Sequence, residues 1–155
     1  MHRIPVSQIM QRSVITIHPE ELVADAAQMM EEFNIRRLPV VDEDDFLVGI
    51  ITDTDVLEAE TAGSVLNSYD LDVEDEWLTV ADIMTPDVIT IQPDATVGQL
   101  ATTLMEHKIG GVPVVEAAPD HPRRLHLVGI VTEMDIFAMI AAAWQATQEA
   151  QSAQA

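Results

Sequence analysis

Short β-branched runs and amphipathic stretches alternate along this chain, and the alternation occurs twice. Val14–Ile17 and Val88–Ile91 are β-branched runs closed by Pro19 and Pro93, the pattern of short strands. Leu22–Phe33 and Val97–His107 carry apolar residues at helical spacing, with Thr96 placed to cap the second helix. Leu38–Val41 and Val112–Val115 read as buried strands, and Leu47–Ile51 and Leu125–Val131 as their partners. The acidic turn Asp42–Asp45 joins the first pair as a hairpin; the Pro-rich segment from Ala117 to Pro122 is expected to join the second as a loop. Helices follow from Asp53 and Glu133. Each half therefore reads strand, helix, strand, strand, helix, with Met29, Met30, Leu104 and Met105 assigned to the core.

The two halves are copies. Val6–Val41 aligns without gaps on Val80–Val115 at an offset of 74 residues, with fifteen of 36 pairs identical. Unrelated segments of that length share about two. Leu47–Asp55 then matches Leu127–Asp135 at an offset of 80, so the second copy carries six extra residues before Leu127. A copy of about 55 residues is too small to bury a comfortable core alone. The expected fold is α+β: two β-α-β-β-α repeats packed sheet against sheet about a pseudo-twofold axis. The boundaries are a first repeat over residues 1–62, an acidic linker over 63–79, a second repeat over 80–145 and a flexible tail over 146–155.

Charge narrows the function. Among 155 residues, 27 are acidic and 7 basic, a net charge of −20, and Lys108 is the sole lysine. Such a chain repels a phosphate backbone at long range, which argues against nucleic-acid binding. It reads as a well-solvated surface, with a basic partner protein as the sharper alternative. Without cysteine there is neither a disulfide nor a thiolate metal site. The opening Met1-His2-Arg3-Ile4-Pro5 lacks a signal-peptide run, and Ile136–Trp144 is far short of the roughly 20 residues that span a bilayer. The expectation is a soluble cytoplasmic protein that neither enters nor binds a membrane. Asp70–Trp77 fits no calcium-loop spacing, the histidines are scattered, and no Gly-rich phosphate loop or nucleophile elbow occurs. An enzyme and a metal site are therefore not expected.

One motif carries chemistry in both copies. Gly49-Ile50-Ile51-Thr52-Asp53-Thr54-Asp55 and Gly129-Ile130-Val131-Thr132-Glu133-Met134-Asp135 each close a strand and open a helix. Thr52 and Thr132 fall at the helix N-caps, where free backbone N–H groups favour a phosphate oxygen. Asp55 and Asp135 follow on the first turn, where a carboxylate can accept ribose hydroxyls. The plainer alternative is that Thr and Asp only cap the helix.

Taken in order, these motifs resemble the CBS domain. The second copy carries the resemblance in Ile83-Met84-Thr85-Pro86-Asp87-Val88-Ile89-Thr90, Ile109-Gly110-Gly111-Val112-Pro113-Val114-Val115 and Gly129–Asp135. The first copy repeats it in Ile9–Thr16, Ile35–Val41 and Gly49–Asp55, so it covers about residues 5–140. The resemblance implies a CBS-domain pair, or Bateman module, that senses AMP, ADP, ATP or S-adenosylmethionine. It further implies a homodimer, control of an attached enzyme or transporter, and no required cofactor. Two clefts are implied. One joins Thr132 and Asp135 to Val14, Ile15, Arg36, Arg37 and Leu38; the other joins Thr52 and Asp55 to Thr85, Val88, Ile89, Gly110, Gly111 and Val112. Ile15 and Ile89 would flank adenine, and Arg36-Arg37 would supply cations for a phosphate where the second copy has only Gly110-Gly111. Gln11-Arg12 departs from the pattern that Thr85-Pro86 follows. An interaction scaffold with no bound ligand is the alternative.

Overall fold

The computed structural model describes residues 1–67 and 78–154, and the acidic stretch Asp70–Trp77 lies outside the described residues. After a 3-10 turn at Val6–Gln8, the elements are α1 (Val23–Phe33), β1 (Arg37–Val41), β2 (Leu47–Thr52), α2 (Asp53–Asn67), α3 (Val80–Ile83), α4 (Val97–His107), β3 (Gly111–Ala118), β4 (His121–Thr132) and α5 (Glu133–Gln154). β1 pairs with β2 and β3 with β4, which gives two small sheets with helices, the expected α+β class.

The compact units cut across the sequence copies. One unit joins Met1–Val14 to Ile89–Ala117 and Leu127–Ala155; the other joins Ile15–Val88 to Ala118–His126. Each unit thus takes its opening segment from the other copy. Val6 and Met10 belong to the core of Ile91, Leu100, Leu104, Val112, Val114 and Val131. Their equivalents Val80 and Met84 pack with Ile17, Val23, Met30, Leu38, Val40 and Ile51.

In the unit built on Ile15–Val88, β1 and β2 run antiparallel with Arg37 opposite Thr52, Leu38 opposite Ile51 and Pro39 opposite Ile50. Ile17 flanks β1 through a parallel bridge to Val40, and Thr85 flanks β2 opposite Ile50. The strand expected over Val14–Ile17 is reduced to that one bridge, and Val88–Ile91 likewise to Ile91 against Val114. Proline explains both. Ile17 N–H donates to Pro39 O at 3.1 Å and Val41 N–H to Ile17 O at 3.0 Å. Extending the ladder backwards needs an N–H at Pro39, and extending it forwards needs one at Pro19; neither has it. His18 Nδ1 meets the Val41 carbonyl at 3.1 Å instead, as a donor in the Nδ1–H tautomer. The acidic turn organises itself: Asp42 Oδ1 accepts from the N–H groups of Asp44 and Phe46, both at 2.9 Å. At α3, Asp82 closes a capping box on Thr79, whose backbone N–H and then hydroxyl hold the carboxyl below the ordinary aspartate range.

The other unit repeats the scheme, with Ile91 beside β3 and Gln11 bridged to Ile130 of β4. Thr96 caps α4 as expected, in a box with Gln99. Two expectations need correction. The six-residue insert lengthens the hairpin, with β3 reaching Ala118 and β4 starting at His121, because Pro122 falls near a strand end where its missing N–H is tolerated. Met105 is 78% exposed and outside the core, one step off the buried Leu100–Leu104 stripe of α4. Beyond residue 145, where the Ala- and Gln-rich sequence reads as a frayed helix, the chain continues α5 to Gln154.

Asn34 and Lys108 end α1 and α4 in the left-handed region, at φ 53° and 54°. Asparagine tolerates that conformation better than lysine does. Lys108→Gly is expected to stabilise the protein by up to about 1 kcal/mol in urea unfolding.

Candidate functional site

Both Gly-x-x-Thr-x-x-Asp motifs fold into a strand-to-helix junction. In the unit of the first sheet, Thr52 ends β2 and Asp53 begins α2. Thr52 N–H donates to Asp55 Oδ2 at 2.9 Å, and Asp55 N–H donates to Thr52 Oγ1 at 3.2 Å. The Thr and Asp therefore do cap the helix, and the cap itself fixes the carboxylate at the helix mouth. Asp53 N–H donates to Arg36 O at 2.8 Å, and Arg37 lies opposite Thr52 in the ladder. Arg36 is exposed and Arg37 half-buried. Thr85, exposed, flanks the same strand two residues before the junction through its bonds to Ile50. Ile15 packs at the edge of this core, and Val88 is half-buried in the same unit. Leu38 is fully buried, so its side chain serves the core, and in the ladder it lies opposite Ile51.

The second junction lies in the other unit. Asp135 Oδ2 accepts from Thr132 N–H at 2.8 Å and from the Thr132 hydroxyl at 3.4 Å. Glu133 N–H donates to Gly110 O at 2.9 Å, the counterpart of the Asp53–Arg36 bond. Val14, Ile89, Gly110, Gly111 and Val112 belong to this unit, and Val112 is fully buried in its core. Gln11 Nε2 donates to Asp135 Oδ1 at 2.9 Å.

The resemblance set Arg36-Arg37 with Thr132 and Asp135, and Gly110-Gly111 with Thr52 and Asp55. Within its own unit, each pre-strand segment meets its own copy's Thr–Asp pair, as a tight hairpin requires: with the turn at Asp42–Asp45, residue 37 comes opposite residue 52. Gln11 is the residue that sequence reasoning left out of the sites. Its signal was the departure from Thr85 at the matching position.

The unit of the second junction also holds an open recess of about 550 Å³, lined by Leu104, Met105, Ile109, Ile136 and Phe137, with Lys108, Gly110 and Glu133. Met105, Met134, Phe137, Ile140 and Trp144 are exposed on α4 and α5. Among the described residues no cluster of His, Asp and Glu could hold a metal ion, and no helix is long and apolar enough to cross a membrane.

A duplicated hairpin whose second strand runs into a Thr–Asp-capped helix, each copy exchanging its opening segment, is the architecture of a CBS-domain pair. The CBS domain model matches residues 6–62 and 80–142, and the chain belongs to that family. It is 36% identical over 131 residues to an L-aspartate semialdehyde sulfurtransferase of Methanocaldococcus jannaschii, a match covering 84% of this chain and 22% of that protein. The chain spans about a fifth of that relative's length, the same 22% as for an inosine-5'-monophosphate dehydrogenase of the same organism, to which it is 33% identical over 83% of this chain. Among solved structures it is similar to the CBS domain pair of protein MJ0100, in complex with 5-methylthioadenosine and S-adenosyl-L-methionine. That likeness has a TM-score of 0.71 at 33% identity, over 90% of this chain and 97% of the other.

Proposed function

We propose that the chain is a regulatory module that binds an adenosine-type ligand (AMP, ADP, ATP or S-adenosylmethionine) at its two strand-to-helix junctions. It acts in the cytoplasm and passes the state of those junctions to a partner enzyme or transporter. The observation that carries this reading is the Thr52–Asp55 cap, repeated at Thr132–Asp135. In each, the Thr N–H holds one carboxylate oxygen, so the acid stands fixed at a positive helix end. At the first junction the other oxygen, Asp55 Oδ1, faces the task of accepting ribose hydroxyls, with Arg36 and Arg37 as cations for a phosphate. The adenosine-type ligands in the structure of the MJ0100 domain pair support the same reading. Thermal unfolding with each adenine nucleotide, adenosine and S-adenosylmethionine tests it. A true ligand at a hundred times its Kd stabilises by about 2.7 kcal/mol. No shift with any of them would leave the scaffold alternative standing.

The module is a homodimer in this reading, joined through the apolar face of α4 and α5. The face is specific to the second copy: Met105, Met134, Phe137 and Ile140 stand where the first copy has Glu31, Thr54, Leu57 and Glu60. A closed twofold contact needs one patch that complements itself. This one offers both the recess and, in Phe137, a residue exposed enough to fill it, while Lys108 and Glu133 line it with opposite charges. Phe137→Asp is expected to yield monomers by light scattering, with Leu57→Asp still dimeric; a monomeric parent at tens of micromolar refutes the pairing.

A further inference from the structure

We propose that Gln11 sets the ligand preference of the Thr132–Asp135 junction, by occupying the carboxylate oxygen that a ribose would use. The inference rests on the adenosine-binding reading above and deepens it. Gln11 is locked in place by its backbone: its N–H donates to Ile130 O at 2.8 Å, and Ile130 N–H donates back to Gln11 O at 2.9 Å. From that clamp its side-chain amide reaches Asp135 Oδ1 at 2.9 Å, while Oδ2 is held by Thr132. Both carboxylate oxygens are thus engaged by the chain itself. At the other junction, Thr85 occupies the matching position with the matching backbone bonds to Ile50, at 2.9 and 3.0 Å. Its side chain is a short hydroxyl. A ligand's 2′- and 3′-hydroxyls must therefore displace an amide donor at Asp135 and need not do so at Asp55.

Gln11 is solvent-exposed, so the displaced amide is rehydrated and the penalty is that of one ordinary hydrogen bond. That corresponds to roughly three- to tenfold in affinity. The chain then carries two junctions of one architecture and different selectivity: an Arg-lined one open to ribose, and one that discriminates against it.

Calorimetric titration of the full chain tests this, with Asp55→Ala as the background so that the Thr132–Asp135 junction reports. The probes are AMP, adenosine and 2′,3′-dideoxyadenosine, and unfolding midpoints establish that each variant is folded. Gln11→Thr and Gln11→Ala are expected to raise the affinity for AMP and adenosine three- to tenfold and to leave dideoxyadenosine unchanged. Unchanged or weaker adenosine binding overturns the proposal, as does an equal gain for dideoxyadenosine, which would mean that the glutamine merely fills space. It is also overturned if the background binds nothing and Gln11→Thr restores nothing while the parent binds. If the parent itself takes up no adenosine compound, the adenosine-binding reading fails first and this inference with it.

Discussion

Asp55→Ala is expected to weaken AMP, ATP and adenosine together by roughly ten- to a hundredfold, the size of one hydrogen bond to a charged group. All three carry the ribose hydroxyls that this carboxylate would accept. Arg36→Ala is expected to weaken the two phosphorylated ligands by the same order and to spare adenosine. The cation counts for more here than on a neutral protein, because a net charge of −20 opposes an incoming anion at long range. Calorimetric titration of both variants with nucleotide and nucleoside reads the effect. A double-mutant cycle then locates it: Arg36 should couple to Asp55, which shares its unit, and coupling to Asp135 instead would show that the ligand joins segments of different copies.

Gly129→Ala is the substitution expected to damage the fold most for its size. A methyl group there would stand 2.8 Å from Met10 Sδ and 2.9 Å from the Gln11 carbonyl oxygen. At Gly49 the same methyl would meet Met84 Sδ at 2.5 Å and the Thr85 carbonyl oxygen at 3.1 Å. Among the described residues no glycine has a positive φ, so what these two supply is room for the incoming backbone. A thioether can swing aside, whereas a carbonyl clamped in a bridge cannot. Gly129→Ala should therefore cost about 1–3 kcal/mol, with Gly49→Ala at the lower end. At about 2–4 °C per kcal/mol for a chain of this size, the shift is plain in a thermal melt. Equal midpoints for Gly129→Ala and the parent would mean that the opening segment is not held against β4.

The duplication, the element order and the Thr–Asp junctions were legible in the sequence because each is a local pattern printed twice. Thr96 before an apolar-periodic run, or Gly49–Asp55 matching Gly129–Asp135, needs no knowledge of distant neighbours. The exchange of opening segments left no such mark. Val6, Ile9 and Met10 are the same residue types as Val80, Ile83 and Met84, so either set would satisfy either core. Met105 was misread because an apolar side chain one position off a buried helical stripe still fits the periodicity. Val14–Ile17 has strand composition, and only the two prolines, one on each side of the bridge, explain why a single pair forms. The ladder pairing of Arg37 with Thr52 follows from hairpin register alone.

Synthesis runs from one end of the chain to the other, and the exchanged segments make that order matter. Gln11 leaves the ribosome well before its side-chain partner Asp135, which lies 124 positions later. The emerging first copy must meanwhile wait for Val80 and Thr85 to complete its own sheet and core. Until then Val6 and Met10 lack the core residues that cover them. Closing so long a loop is entropically slow, so neither half can complete its core before the other is made.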